Sequence, residues 1–456
     1  MAIRETVERE LKLRAGDGFR FPELGGETIA PRVFVSTYHD TADHRLARRG
    51  VTLRHRLEDG KGLWQLKLPH GPARRELEQE GTLDEAPAEL LGLVAAYVRG
   101  EPLAPIATLR TRREGVRAEG AEITHDSVAV LEREQETRTF DEVEVELVGG
   151  DERALRRIER ALRRAGAEDA EFRPKVFQAL DLDFPPAPDE APSGAAATLR
   201  ARLREQAEAV LAHDPGTRLG TDPEELHQMR VATRRLRAFL RAGRELLDPA
   251  WSEPLRAELR RLGGALGPVR DLDVLLEHLR PEVDGLGQDA TGGRVLLRAL
   301  ERQRRAARRR LLLVLGDVRY FALLDALDQP VETVAEEPGL DEIHAREHQK
   351  LRKAMTALGP DAADVELHAA RIKVKRARYA AELAGAAAYV KAAKALQDVL
   401  GEHQDAVVAQ ERLRTLAERV PEGAVAAGRL LERESGRVTS TRAAWPRAWR
   451  RLERTA

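Results

Sequence analysis

Glu8, Glu10 and Lys12 are spaced two apart near the start of the chain, and Glu142, Glu144 and Glu146 repeat that spacing further on. Side chains on a strand alternate between its faces, so each trio would share one face of a strand. Two acidic strand faces are costly in an interior unless cations and hydrogen-bond donors meet them. The basic residues between them alternate too: Arg54 with Arg56, then Lys67, Arg75, and Arg110 with Arg112. Carboxylates bind oxygen-seeking divalent ions, and arginine forks match phosphate oxygens. Together they describe a site for a chain of phosphates.

The elements that must position these residues are strands. From residue 3 to about 184 the pattern has mostly period two. Val33–Tyr38 and Val51–Leu57 read as strands, and a turn at Asp59-Gly60-Lys61-Gly62 feeds Leu63–Leu68 as a hairpin. Residues 107–112 form another strand, 121–126 and 127–130 a short hairpin, and 151–165 a helix. Antiparallel strands with one polar face can turn it to solvent. A closed barrel can instead enclose a polar interior and remove its edges. Periodicity alone does not choose between them. His39, His44, His55 and His70 form no compact constellation and read as surface residues.

The ordered set resembles the CYTH superfamily, the triphosphate tunnel metalloenzymes. Glu8-x-Glu10-x-Lys12 looks like its signature, and the similarity continues through Tyr38, Asp40 and Thr41, Arg54-x-Arg56, Lys67 and Arg75-Glu76. It ends with Arg110-x-Arg112, Asp126, Glu142-x-Glu144-x-Glu146 and Lys175. The resemblance implies an eight-stranded antiparallel barrel whose tunnel hydrolyses inorganic triphosphate or a triphosphorylated organic molecule, or cyclises a nucleotide. It implies catalytic roles for Glu8, Glu10, Lys12 and Glu144. Lys12, Arg54, Arg56, Lys67, Arg75, Arg110, Arg112 and Lys175 would bind triphosphate. Glu8, Glu10, Glu142, Glu144 and Glu146 would hold Mg²⁺ or Mn²⁺, with Asp126 either a ligand or the orienter of one.

At 456 residues the chain is long for one domain and suggests two or three. It contains no cysteine, which excludes disulfides and thiolate chemistry. No signal-peptide pattern and no membrane-spanning apolar run is evident, so the expected location is cytoplasmic, without a membrane partner. The net charge of −1 hides a charged fraction of 34%, so distribution matters more than sum. Pro185–Gly194 is a linker by composition, dividing a strand-rich domain at 1–184 from a helical domain at 198–448 across residues 185–197.

Beyond the linker, apolar residues recur at three and four. Helices are expected at 196–213, 223–247, 252–264, 269–280, 290–314, 319–328, 341–358, 362–385, 388–400, 403–418 and 421–433. Within the second, Leu226, Met229, Thr233, Leu236 and Leu240 make a packing stripe, and His227, Arg230, Arg234, Arg237 and Arg241 make a basic stripe beside it. The design returns 141 residues later as His368, Arg371, Lys375 and Arg378. Leu266–Asp271 is likewise echoed by Leu400–Asp405. Internal repeats outweigh isolated motifs.

These duplicated stripes resemble the CHAD domain, which implies an all-helical pair of pseudo-symmetric four-helix bundles binding inorganic polyphosphate on a basic surface. The polyphosphate-binding set would be His227, Arg230, Arg234, Arg237, His368, Arg371, Lys375 and Arg378, with His403 and Lys353 secondary. CHAD domains often follow CYTH domains, and the expected fold is multidomain α+β. The expected function is divalent-metal-dependent hydrolysis of inorganic triphosphate coupled to polyphosphate binding; the alternative is a non-catalytic polyphosphate-binding protein. Few aromatics are available for base stacking, which ranks nucleic acid lower as a partner. A homodimer is compatible with the chain, though no stripe argues for one.

Overall fold

A computed structural model describes residues 3–455 apart from 9, 17, 72, 150, 170–173, 183–192 and 360, and omits the side chains of Val7 and Glu8. The chain folds as two compact units, Met1–Asp189 and Glu190–Ala456.

The first unit is a ten-stranded antiparallel sheet. Its strands are β1 (Arg4–Glu8), β2 (Glu10–Ala15), β3 (Glu27–Asp40), β4 (Thr52–Glu58), β5 (Lys61–His70), β6 (Ala73–Glu80), β7 (Ala104–Ala118), β8 (Ala121–Glu132), β9 (Gln135–Leu147) and β10 (Ala167–Asp169). The spatial order is β1-β6-β5-β4-β3-β7-β8-β9-β2-β10. The sheet is therefore not an eight-stranded one closed by hydrogen bonds between its ends. It nevertheless curls, because β2 to β9 all contribute to one cavity. Three helices complete the unit: α1 (Ala88–Val98), α2 (Glu152–Arg164) and α3 (Lys175–Leu180).

Three two-residue turns set the register of the hairpins. Asp59-Gly60, Glu119-Gly120 and Arg133-Glu134 all have positive φ at both positions, matching the twist of the strands they join. Only the first announces itself by composition. β8 itself runs unbroken from Ala121 to Glu132, where the sequence pattern had suggested a hairpin of two short strands.

Alternation then sorts the side chains. Leu13, Val143 and Val145 pack outward on Ile158 and Leu162 of α2, which leaves Glu10, Lys12, Glu144 and Glu146 on the inner face. At one end, Val176 and Phe177 of α3 pack with Tyr38, Leu109, Val128 and Val130.

The second unit is helical: α4 (Ala195–Ala212), α5 (Asp214–Leu219), α6 (Pro223–Ala242), α7 (Pro249–Asp284), α8 (Ala290–Leu315), α9 (Val318–Asp328), α10 (Leu340–Thr356), α11 (Asp364–Leu383), α12 (Ala387–Arg419) and α13 (Ala424–Glu453). α7 and α12 are each continuous where two helices were expected. Pro268 lies inside α7, a substitution-level cost of roughly 3 kcal/mol that burial offsets. The stripe Leu259, Leu262, Leu266, Val269, Leu272 and Leu276 stays buried straight through it. One core joins α7, α8, α12 and α13, and another joins α10, α11, α12 and α13. These two cores share α12 and α13.

Candidate functional site

The inner faces of β2 to β9 and the start of α3 enclose a cavity of about 170 Å³. Its walls include Glu10, Lys12, Arg54, Arg56, Lys67, Glu144, Glu146 and Lys175, brought together from across the unit. Other expected residues lie elsewhere. Arg110 and Arg112 are exposed on the outer face of β7, where Arg110 pairs with Glu136. The inward phase of β7 is Leu109, Thr111 and Arg113, and Arg113 lines the cavity. Arg75 is likewise out of phase: it is buried on the far face of β6, its Nε 3.2 Å from Glu5. Its neighbour Arg74 faces inward with Glu76. The side chain of Glu8 lies outside the described residues; its backbone pairs with Arg74. His55 is buried rather than superficial, with its ring against Trp64.

One end of the cavity is a dense ionic knot. Lys12 Nζ lies 2.9 Å from Glu144 and 3.8 Å from both Glu142 and Glu10. Lys175 Nζ lies 2.6 Å from Glu142, 2.7 Å from Glu144 and 3.0 Å from Asp126. Arg113 grips Asp126 with two donors, at 2.7 and 2.6 Å, and donates to Glu144 at 2.6 Å. Burial opposes the Glu144 charge, but Lys12, Lys175 and Arg113 outweigh it and hold the carboxyl well below the usual range. Burial wins at Glu142, whose carboxyl is pushed up despite both lysines. Asp126 and Glu142 do not line the cavity; they pair with Lys12, Lys175 and Arg113 from behind.

The acidic side is different. Glu10 Oε1 is buried without a hydrogen-bond partner. Glu146 is raised by burial and by the nearby Glu122, Glu76 and Glu10, with Lys67 opposing. Among the described residues no three acidic or histidine side chains converge tightly enough to hold a metal ion as they stand. An orphaned carboxylate oxygen and crowded like charge nonetheless suit a hard divalent cation, which takes oxygen ligands and relieves such repulsion.

The basic wall is built by β3 and β4. Arg54 donates to Gln65 at 2.9 Å and to the Tyr38 hydroxyl at 3.1 Å. Arg56 is half-buried, and its Nε is sealed without a partner. Its Cζ lies 4.2 Å from the centre of the Phe34 ring. Burial and the neighbouring Arg54 and Arg113 lower its guanidinium to about 9.

In the helical unit, a second cavity of about 380 Å³ lies between α6, α7, α10 and α11. Arg234, Arg237, Arg241 and Lys375 line it, as do Arg256 and Arg376, which the stripes had not included. Arg230 donates to Asp271 at 3.1 Å beside this group. Burial lowers Arg371, and Arg234 and Arg230 from the other repeat lower it further. Lys375 falls to about 7, through burial and the charges of Arg371, Arg234 and Arg230. The basic residues of both repeats thus share one neighbourhood. His227 is half-buried beside Arg270 and Arg230, and His368 is exposed, its Nδ1 2.8 Å from Gln404. Arg378 leaves the stripe: it is buried on the Tyr379 ring with Glu382 at 3.5 Å. His403 is also internal, at 3.0 Å from Asp364 and 3.2 Å from Thr441.

Comparison with known proteins follows this division. The CYTH domain matches residues 6–174, and the CHAD domain matches residues 201–414. Two relatives from Mycobacterium tuberculosis, Uncharacterized protein MT2285 (strain CDC 1551 / Oshkosh) and Uncharacterized protein Rv2226 (strain ATCC 25618 / H37Rv), are each 34% identical over 420 residues, covering 83% of this chain and 81% of theirs.

The chain belongs to the CYTH–CHAD family.

Among solved structures, PptA from Streptomyces chartreusis is 26% identical over 57% of this CYTH–CHAD chain and 100% of its own, with a TM-score of 0.48. The CHAD domain from the plant Ricinus communis is 28% identical over 59% of this chain and 94% of its own, also with a TM-score of 0.48. Among the described residues no helix is long and apolar enough to cross a membrane.

Proposed function

We propose that the strand-rich unit hydrolyses inorganic triphosphate, or the end of a phosphate chain, with Mg²⁺ or Mn²⁺, and that the helical unit binds inorganic polyphosphate. The observation that carries the first part is Arg56: a guanidinium facing the cavity that, among the described residues, has a ring beside it and no carboxylate partner. A phosphate oxygen supplies that partner. Lys12, Arg54, Arg56, Lys67 and Lys175 bind the phosphates and stabilise the charge that develops as the anhydride bond breaks. Glu10 and Glu146, with Glu76 and Glu122 beside them, would hold the divalent ion, which when bound polarises the phosphoryl oxygens. Glu144 keeps Lys12 and Lys175 charged and in place.

The cavity lining disfavours nucleotide chemistry. Among the described residues the aromatic rings of the lining, Phe34 and Tyr38, already lie beside Arg56 and Arg54, which leaves less ring face for a base. In the helical unit, a cluster of cations from two repeats with mutually lowered affinities for protons calls for a dense polyanion. The test is phosphate release from tripolyphosphate with Mg²⁺ or Mn²⁺, paired with binding of long polyphosphate. At a fixed, limiting metal concentration Glu10→Gln should sharply reduce the release and leave binding intact, and a joint Arg230→Ala/Arg371→Ala change should do the reverse. Wild-type protein that releases no phosphate under either metal overturns the catalytic part.

A further inference from the structure

Phe34 is chemically out of place. Most of the cavity wall is charged or hydroxylic, yet β3 presents a phenyl ring there, and the ring is buried. Strand register explains what it touches. On β4, Arg56 lies opposite Ser36; on β7, Arg113 lies opposite Arg32. Both arginines are therefore diagonal neighbours of Phe34, one from each flanking strand, within reach of long side chains. Arg56 Cζ is 4.2 Å from the ring centre and Arg113 Cζ is 5.7 Å away.

The two arginines differ in every other respect. Arg113 is fixed by Asp126 and Glu144. Arg56 has no carboxylate among the described residues to fix it. A guanidinium recognises phosphate through a planar fork, and an unheld fork loses entropy when it binds. A carboxylate would hold the fork but would occupy its donors and cancel its charge. A ring face holds the plane through the quadrupole and leaves the N–H groups free. An aliphatic side chain of similar bulk fills the space without that attraction.

We propose that Phe34 is a positioning residue for the phosphate chain: its ring face holds the Arg56 guanidinium ready for an incoming phosphate without neutralising it. The proposal rests on the triphosphate function set out above. It also assigns a use to an apolar side chain in a polar cavity that core packing alone does not require.

The experiment compares wild type, Phe34→Leu, Phe34→Tyr, Arg56→Lys and the Phe34→Leu/Arg56→Lys pair in the full chain, with tripolyphosphate as substrate. Phe34→Leu should raise KM about tenfold, the size of a partly desolvated cation–π contact, with kcat little changed. Phe34→Tyr, which keeps the ring, should restore KM. In the Arg56→Lys background the leucine change should add almost nothing, because the planar partner is gone. An unchanged KM in Phe34→Leu, or a Phe34→Tyr protein as impaired as Phe34→Leu, overturns the proposal and leaves the ring as packing. Should Phe34→Leu fail to fold, the Arg56 side-chain proton resonances of wild type decide, identified by their loss in Arg56→Lys. Upfield ring-current displacement supports the contact, and ordinary positions overturn it. If wild type does not hydrolyse tripolyphosphate, the function itself fails, while these resonances still judge the ring.

Discussion

Lys12 and Lys175, from opposite ends of the strand-rich unit, donate to the same oxygen, Glu144 Oε1, at 2.9 and 2.7 Å. That one carboxylate, which also accepts from Arg113, ties β2, β7, β9 and α3 together. Removing a charge from such a buried network leaves its partners uncompensated.

Glu144→Gln should therefore destabilise the strand-rich unit by about 3 kcal/mol, measured by denaturant unfolding at neutral pH, and should abolish turnover. The pH dependence has a definite sign. Because the Glu144 carboxyl lies below its ordinary value in the fold, its contribution is fully present above the normal carboxylate range. It is lost only as pH falls through the depressed value. Wild type should keep an advantage over Glu144→Gln down to pH 4 and lose it in stronger acid.

Arg56 and Arg110 provide a test of strand phase. Arg56→Ala should raise KM for tripolyphosphate about thirtyfold, as expected for losing a charge-assisted phosphate contact. Arg110→Ala and Arg112→Ala, on the exposed face, should stay within about twofold of wild type, like most surface substitutions. Equal effects from both faces would contradict the inward phase of β7.

Glu10→Gln should shift activation by Mg²⁺ or Mn²⁺ to roughly tenfold higher concentration, as expected on losing one charged oxygen ligand from a small set. The thermal midpoint should change less than in Glu144→Gln, since Glu10 Oε1 has no hydrogen-bond partner to lose and the other oxygen lies 3.8 Å from Lys12. Metal titrations followed by both calorimetry and phosphate release would measure it.

Lys375 gives the helical unit a proton-coupled signature. Its ammonium is lowered to about 7 by burial and by Arg371, Arg234 and Arg230. A bound polyanion favours the charged form, so binding at pH 8 should take up nearly one proton, and binding at pH 6 almost none. Calorimetry in buffers of different ionisation enthalpy reads this directly. Affinity should fall as pH rises through 7, and Lys375→Arg, permanently charged, should flatten that dependence.

Much of the tunnel side was legible because apolar partners marked its phase. Leu11 and Leu13 alternate with Glu10 and Lys12, and Val143 and Val145 alternate with Glu144 and Glu146, so inside and outside could be told apart. β7 offered no such marker: Arg110, Arg112 and Arg113 occur almost together, and the wrong pair drew attention. Arg74 and Arg75 posed the same one-residue ambiguity. Phe34 was invisible as a site residue because a phenylalanine in a strand ordinarily signals core. In the helical unit the repeated cations were plain. Pro268 and Gly401 wrongly suggested breaks, because local propensity was outweighed by a buried stripe continuing on either side.

The cations of the ionic knot, Lys12, Lys175 and Arg113, already hold carboxylates before any substrate arrives. A phosphate chain must therefore exchange partners with Glu144 and its neighbours rather than drop into vacancies. On the proposed function, the same carboxylates would reclaim those lysines once the anhydride is cut, so that the lumen resets itself, trading some grip on the incoming chain for speed in letting the fragments go.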